Sequence, residues 1–170
     1  MDTEKLRLFV YGSLKRNEFN WHVIESGVEQ VTAARLRGRM FLRPDGYPAM
    51  MLSSQHRLGG LDYARDLALA WESLKSSPGD TGEPWISGQL LLVRAGCQWQ
   101  PRLDEFEGFF PGAASEYLRV LAPVEIAGQW QPAWTYTAAA RPPAHWPAIE
   151  MWTGTMVGPL SPYQHGLGCP

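Results

Sequence analysis

Cysteine is nearly absent from this chain: two in 170 residues, Cys97 and Cys169, far apart and in no CxxC pair. A disulfide framework is therefore not expected to hold the fold, nor a thiolate cage a metal. The four histidines, His22, His56, His145 and His165, stand without ligand spacing, so no metal site is expected. Charge is scarce as well, at 19% charged residues and a formal net charge of −2. That balance offers no basic surface to nucleic acid or to an anionic membrane. No apolar run approaches the roughly 20 residues of a spanning helix. The opening run 6–11 is shorter than a secretion-signal core, and no small-residue cleavage site follows it. The expectation is a soluble, cytoplasmic protein without nucleic-acid or membrane partners.

What is present points to one globular domain. Apolar residues make up 45% of the chain, enough for a core. The length suits one domain over 1–170. Eight tryptophans are many for this length. Most read as packing, and a few as walls of a pocket, since pockets favour aromatic linings.

Local patterns divide the chain. The run 6–11 (LRLFVY) is rich in strand formers and stops at Gly12, which predicts a first strand. Residues 13–20 read as a loop, and 21–26 as a short helix capped by Asn20. Residues 31–42 have strand character and end at Pro44-Asp45-Gly46, so 47–52 can return as a hairpin partner. Residues 53–84 look like an insertion, with Leu67, Ala70, Trp71 and Leu74 on one helical face, Asp62 as N-cap, and 76–84 as a flexible loop. Residues 85–93 resume as a strand, 98–108 as a helix, and 117–126 and 131–138 as two strands separated by Gly128. From Arg141 the proline-dense tail reads as irregular. Short strands with few helices can close into a barrel or form an open α+β sheet, and pattern alone does not choose.

Four places could carry chemistry, the last of them Trp134-Thr135-Tyr136. At Tyr11-Gly12-Ser13-Leu14 a strand runs into a glycine turn, where successive N–H groups can converge on an anion or oxyanion. Taken alone, an ordinary strand-ending turn is the commoner reading. In Leu103-Asp104-Glu105-Phe106-Glu107-Gly108, helical spacing puts Leu103, Phe106 and Glu107 on one face, with Asp104 and Glu105 pointing elsewhere. Glu107 is then the inward carboxylate, and a half-apolar cavity would raise its pKa. A solvated helix end is the blander reading. In the strand entered at Glu116, Tyr117 and Arg119 share a face; a surface arginine is the simpler reading for Arg119.

Order and spacing add what single motifs lack. The series Tyr11-Gly12-Ser13-Leu14, Gly46-Tyr47-Pro48-Ala49, Ser87-Gly88-Gln89-Leu90, Leu103 to Gly108, Tyr117-Leu118-Arg119 and Trp134-Thr135-Tyr136 resembles the γ-glutamylcyclotransferase-like family. The resemblance runs from the first strand to Ala138 and omits 53–84 and the tail. It implies an α+β fold, a mixed β-barrel or sheet flanked by short helices. It implies a reaction without a cofactor, in which the α-amine of a γ-glutamyl group attacks its own side-chain carbonyl, giving 5-oxoproline and a released amine. It further implies Glu107 as general acid/base. Tyr11, Gly12, Ser13 and Leu14 would bind the γ-glutamyl group through backbone N–H groups, and Tyr117 and Tyr136 would also bind substrate. The insertion and the tail depart from the family pattern and bear on which substrate is taken. Two readings from other classes compete: a non-catalytic binding protein for a small anion, and an interaction module built on the insertion and tail. A carboxylate at Glu107 argues against the anion binder.

Overall fold

The structure is a computed structural model describing residues 5–58, 66, 70–72, 74, 82–94 and 99–154. The expectations for Asp62, Leu67, both cysteines, the tail beyond 154 and most of the 76–84 loop lie outside the described residues.

The first strand is β1 (Leu6–Val10). Next come β2 (Val28–Arg37), β3 (Arg39–Leu42) and β4 (Pro48–Met51). Then follow β5 (Trp85–Val93), helix α1 (Trp99–Phe106), β6 (Tyr117–Ile126), β7 (Gln129–Ala138) and the two-residue β8 (Ala148–Ile149). Among the described residues, β1, β5, β2, β6 and β7 close a barrel in that order, and β4, β3 and β8 form a small separate sheet. The barrel closes through a parallel contact of β1 with β7 at Leu8 and Trp134. The architecture is the α+β barrel that the family resemblance implies.

Alternation along β1 shows how the core divides. Leu6, Leu8 and Val10 join a cluster with Trp99, Leu103 and Phe109 of the α1 region, whereas Phe9 and Tyr11 join Met40, Met50 and Trp152. Successive strand residues face opposite ways, so one strand serves both clusters. Trp99, Leu103 and Phe106 recur at the helical spacing that lays one face of α1 on the barrel. Pro101 is tolerated because it sits in the first turn, where N–H groups have no intrahelical partner.

Several local expectations are corrected. Residues 31–42 are not one strand: the chain passes from the barrel (β2) to the small sheet (β3) at Gly38. There is no room for a side chain there, since a Cβ would lie 2.7 Å from Leu52 and 2.8 Å from the Met51 carbonyl. The 21–26 segment is two short 3-10 turns rather than an α-helix, and Asn20 does not cap it. Asn20 is drawn the other way, donating from Nδ2 to Ser13 Oγ at 2.8 Å. The tail is less irregular than its prolines suggest. Ala148 and Ile149 pair with β3, and Trp152 is 2% exposed and donates its indole N–H to the Gly46 carbonyl at 2.7 Å. In the 53–84 segment, Asp66 and residues 70–72 are helical; Ala70 is buried in the core, and the Arg7 guanidinium lies 5.3 Å from the centre of the Trp71 ring. Among the described residues no helix is long and apolar enough to cross a membrane.

Candidate active site

Where β1 ends, the chain must leave the barrel, and it does so along one wall of a small open-mouthed cavity of about 50 Å³. The wall is the stretch from Phe9 to Leu14. Tyr47 and Pro48 of the β3–β4 hairpin face it, and Glu107, Tyr117 and Tyr136 complete the lining. Every residue that the sequence marked for catalysis or substrate binding, Tyr11 to Leu14, Glu107, Tyr117 and Tyr136, therefore meets in one cavity. Their separation in sequence is up to 125 residues, the span of the Tyr11 to Tyr136 hydrogen bond.

The 11–14 loop is held from behind. Lys15 N–H donates to the Gly12 carbonyl at 3.1 Å, and Asn20 N–H to the Ser13 carbonyl at 2.9 Å. With its carbonyls turned to those donors, the loop leaves the N–H groups of Gly12, Ser13 and Leu14 without a partner among the described residues. Buried backbone N–H groups are nearly always paired, so an unpaired run in a cavity wall has donors to offer a ligand. Gly12 is not in the left-handed region, which corrects the expectation that its backbone angles make the nest. It is glycine for want of space: a Cβ would lie 2.9 Å from Cγ of Pro48.

Glu107 is placed by the way α1 stops. Phe109 N–H reaches back to the Asp104 carbonyl at 2.7 Å and Gly108 N–H to the Glu105 carbonyl at 3.1 Å, with Gly108 at φ +63. This is a Schellman ending, and it needs a residue that accepts a left-handed backbone directly after Glu107. The side chain of Glu107 is thus fixed at the helix end over the cavity. It makes no hydrogen bond or ion pair with any described residue. Burial, and secondarily the charge of Glu116, push its carboxyl up from 4.5 to about 8.

The other two acids of the motif behave differently. Glu105 is exposed, as expected. Asp104, expected to point elsewhere, is 8% exposed and turned into the fold. It pairs with Arg119, and its second oxygen accepts from the Tyr136 hydroxyl at 2.8 Å. Arg119 is no surface residue: it is 5% exposed and sits 5.3 Å from the centres of both the Phe109 and Trp134 rings. Side-chain alternation had put Arg119 on the Tyr117 face. What the local pattern could not give is that α1 brings a carboxylate to that face. Breaking such a buried pair from one side costs on the order of 3–5 kcal/mol.

Four tyrosines line the cavity: Tyr11, Tyr47, Tyr117 and Tyr136. Tyr11 donates to the Tyr136 carbonyl at 2.8 Å and Tyr117 to the Pro48 carbonyl at 3.0 Å. Arg43 reaches the Tyr117 oxygen at 3.4 Å, but its charge is taken up by Asp45 and Glu116. Burial raises the pKa of all four phenols, so each stays neutral. The tryptophans do not wall the cavity as expected. Trp134 and Trp152 are buried in the core, and Trp85 lines a groove with Met40 and Ile149. Sequence reasoning assigned no role to Tyr47, Pro48 or Asp104. The Gly46-Tyr47-Pro48 turn was the available signal for the first two. Among the described residues no group of three or more His, Cys, Asp or Glu could hold a metal ion.

A family model described as gamma-glutamyl cyclotransferase, AIG2-like, matches residues 8–74 and 63–153. Among solved structures, an AIG2-like protein from Mus musculus superposes with a TM-score of 0.55 at 19% identity, over 92% of this chain and 97% of that one. An Arabidopsis thaliana protein superposes with a TM-score of 0.52 at 17% identity, over 85% of this chain and 77% of that one. YkqA from Bacillus subtilis superposes with a TM-score of 0.50 at 21% identity over 79% of this chain, which spans only 36% of YkqA. At such identities the likeness is one of fold. No curated protein matches the chain in sequence.

Proposed function

The chain belongs to the AIG2-like γ-glutamyl cyclotransferase family, and from that premise we propose that it converts a γ-glutamyl amine, amino acid or peptide to 5-oxoproline and the released amine, with Glu107 as the proton carrier. The observation that carries this reading is the Glu107 carboxyl, unpartnered, raised to about 8 and set in one cavity with the unpaired N–H groups of Gly12, Ser13 and Leu14.

The chemistry asks for both parts. The substrate α-amine, held beside its own free carboxylate, arrives as an ammonium. A carboxylate at its ordinary 4.5 would be a poor acceptor for that proton; one near 8 takes it at little cost. The freed amine then attacks the γ-carbonyl carbon. A C–N bond forms in the five-membered ring, the original C–N bond breaks, and the two protons shed by the ring nitrogen end on the leaving nitrogen, which departs as an ammonium, with Glu107 carrying them in turn and ending as the carboxylate it began as. Holding the γ-glutamyl chain in the ring-closing conformation can be worth about 7–11 kcal/mol of barrier. The 11–14 N–H groups supply that hold by binding the anionic end of the substrate or the oxyanion.

Selectivity follows from the same geometry. The α-amine is the nucleophile, so an N-acetylated γ-glutamyl compound should be inert, as should an α-linked glutamyl peptide. Among the described residues no Lys or Arg lines the cavity. Arg119 is committed to Asp104, and Arg43 to Asp45 and Glu116. Neutral or apolar leaving groups should therefore be processed at least as well as glutathione, whose leaving peptide carries a carboxylate. Measuring kcat/KM for 5-oxoproline release over such a panel tests this. Turnover of an N-acetylated or α-linked compound would refute the cyclisation, and a strong preference for glutathione would refute the assignment of the leaving-group side.

A further inference from the structure

We propose that the tail segment 147–154 is a strap that sets the cavity from outside it, with Trp152 and Lys15 as positioning residues. The inference rests on the proposed reaction only for the substrate that reads the cavity out.

Two walls of the cavity come from different sheets. The 12–14 loop leaves barrel strand β1, whereas Tyr47 and Pro48 belong to the β3–β4 hairpin of the small sheet. Among the described residues no strand pairing joins β1 to that hairpin. Tyr11 packs in one cluster with Met40 and Met50, which brings the two walls together. Apolar contact is non-directional, so it does not by itself fix how far apart they stand.

The tail supplies the directed bonds. It is anchored on the small sheet, where Leu42 N–H donates to the Pro147 carbonyl at 2.9 Å and Ala148 and Ile149 pair with β3. It then reaches the hairpin turn. The Trp152 indole N–H donates to the Gly46 carbonyl at 2.7 Å, and Tyr47 N–H, at the other end of the same peptide, donates to Asp45 Oδ1 at 3.2 Å. The peptide leading into Tyr47 is thereby held from both ends. The tail then meets the loop. Lys15 Nζ donates to the Trp152 carbonyl at 2.9 Å, lies 5.8 Å from the centre of the Trp152 ring, and stands 3.6 Å from the Glu18 carboxylate. The backbone N–H of Lys15 is also the donor that holds the Gly12 carbonyl. At Gly154 the tail still lies close on the loop, since a Cβ there would be 2.6 Å from the Glu18 carboxylate.

Trp152 is thus a joint, bonded to the hairpin through its ring and to the loop through its carbonyl. Trp152, Lys15 and Gly46 do not line the cavity, so they act on its walls and not on the ligand. The strap also bypasses α1, whose Trp99 and Leu103 pack in the other cluster. Loosening it should shift the binding walls and leave Glu107 in place. Its two bonds lie in series, so cutting either one frees the same gap.

Three substitutions test this with a γ-glutamyl amine as substrate. Trp152→Phe keeps an aromatic ring and removes the indole donor. Lys15→Met keeps the stem and removes the ammonium, and Lys15→Arg keeps charge and donors. Trp152→Phe and Lys15→Met should each raise KM about three- to tenfold, the worth of one such hydrogen bond, with kcat within about twofold of parent. Lys15→Arg should hold KM within about twofold. The double variant should be no worse than its more damaging single, whereas independent sites would multiply. Amide exchange at Lys15, Asn20, Arg43 and Gly46, followed without ligand, should quicken in both singles by more than the change in global stability allows. Parent-like KM in both singles, a fall in kcat with KM unchanged, or multiplication in the double overturns the strap. Should Trp152→Phe fail to fold, the contrast of Lys15→Met with Lys15→Arg decides. A protein that releases no 5-oxoproline would refute the proposed reaction, and exchange alone then decides: quickened amides uphold the strap and unchanged ones overturn it.

Discussion

Glu107→Gln is expected to reduce 5-oxoproline release by about two to four orders of magnitude, the usual worth of a positioned acid-base group. Glutamine fills the same space at the helix end, so the fold and the affinity for 5-oxoproline should persist. It cannot take a proton from the ammonium, and the tyrosines of the cavity, held neutral by burial, cannot take it instead. Glu105→Gln is the matched control. It lies two residues away, is exposed, and should leave turnover nearly unchanged. Near-normal release from the Glu107 variant would end the assignment.

The same substitution has a signature in stability. The Glu107 carboxyl is raised from 4.5 to about 8 by burial and then by Glu116, so the folded state holds a proton that the unfolded state has released across that window. Its favourable contribution is full below 4.5 and is lost as the pH rises through about 8. Parent and Glu107→Gln should unfold alike at low pH, and the variant should be the more stable at a pH of about 9. Removing the carboxyl should thus gain stability at alkaline pH, the exchange expected where a group is kept for function at a cost to the fold. The profile of kcat/KM should rise through about 8 as Glu107 ionises and fall at higher pH as the free substrate loses its ammonium proton. Coincident melting at high pH would mean that Glu107 is solvated.

Much of this was legible in the sequence, and what was not has a common cause. Strands with strong local patterns came out close to expectation: 85–93 is β5, and 117–126 is β6. The turn at Gly128 closes β6 onto β7 because Ala127 and Gly128 both take positive φ, which a two-residue hairpin requires. The seven site residues came from motif order, and the cavity collects all of them. Partnership across the chain was not legible. Asp104 and Glu105 are adjacent acids on one short helix, and nothing local says that one meets Arg119 while the other meets water. Trp134 and Trp152 are as aromatic as a pocket wall should be, but they are consumed by the core. Asn20 has the chemistry of a helix cap and spends it on Ser13. In each case the residue type announced a capacity, and tertiary contact chose its use.

Gly12→Val is expected to cost ligand binding far more than it costs stability. At Gly12 the obstacle is Pro48 across the cavity, since even the first added carbon would lie 2.9 Å from the proline ring. Valine adds two further methyl groups at the same point. Pro48 cannot yield easily: it begins β4 opposite Leu42, and its carbonyl holds the Tyr117 hydroxyl at 3.0 Å. The loop is the softer partner and should move, carrying the Gly12, Ser13 and Leu14 N–H groups off their common target. Overpacking of this kind costs about 1–3 kcal/mol, survivable for a domain of this size. Losing two or more aligned donors to an anion should weaken 5-oxoproline binding by about a hundredfold. Gly12→Ala, which adds only the first carbon, should fall between parent and valine. Thermal unfolding and calorimetry on the same samples separate the two effects. If Gly12→Val binds 5-oxoproline as the parent does, then the loop is an ordinary turn and the anion sits elsewhere in the cavity.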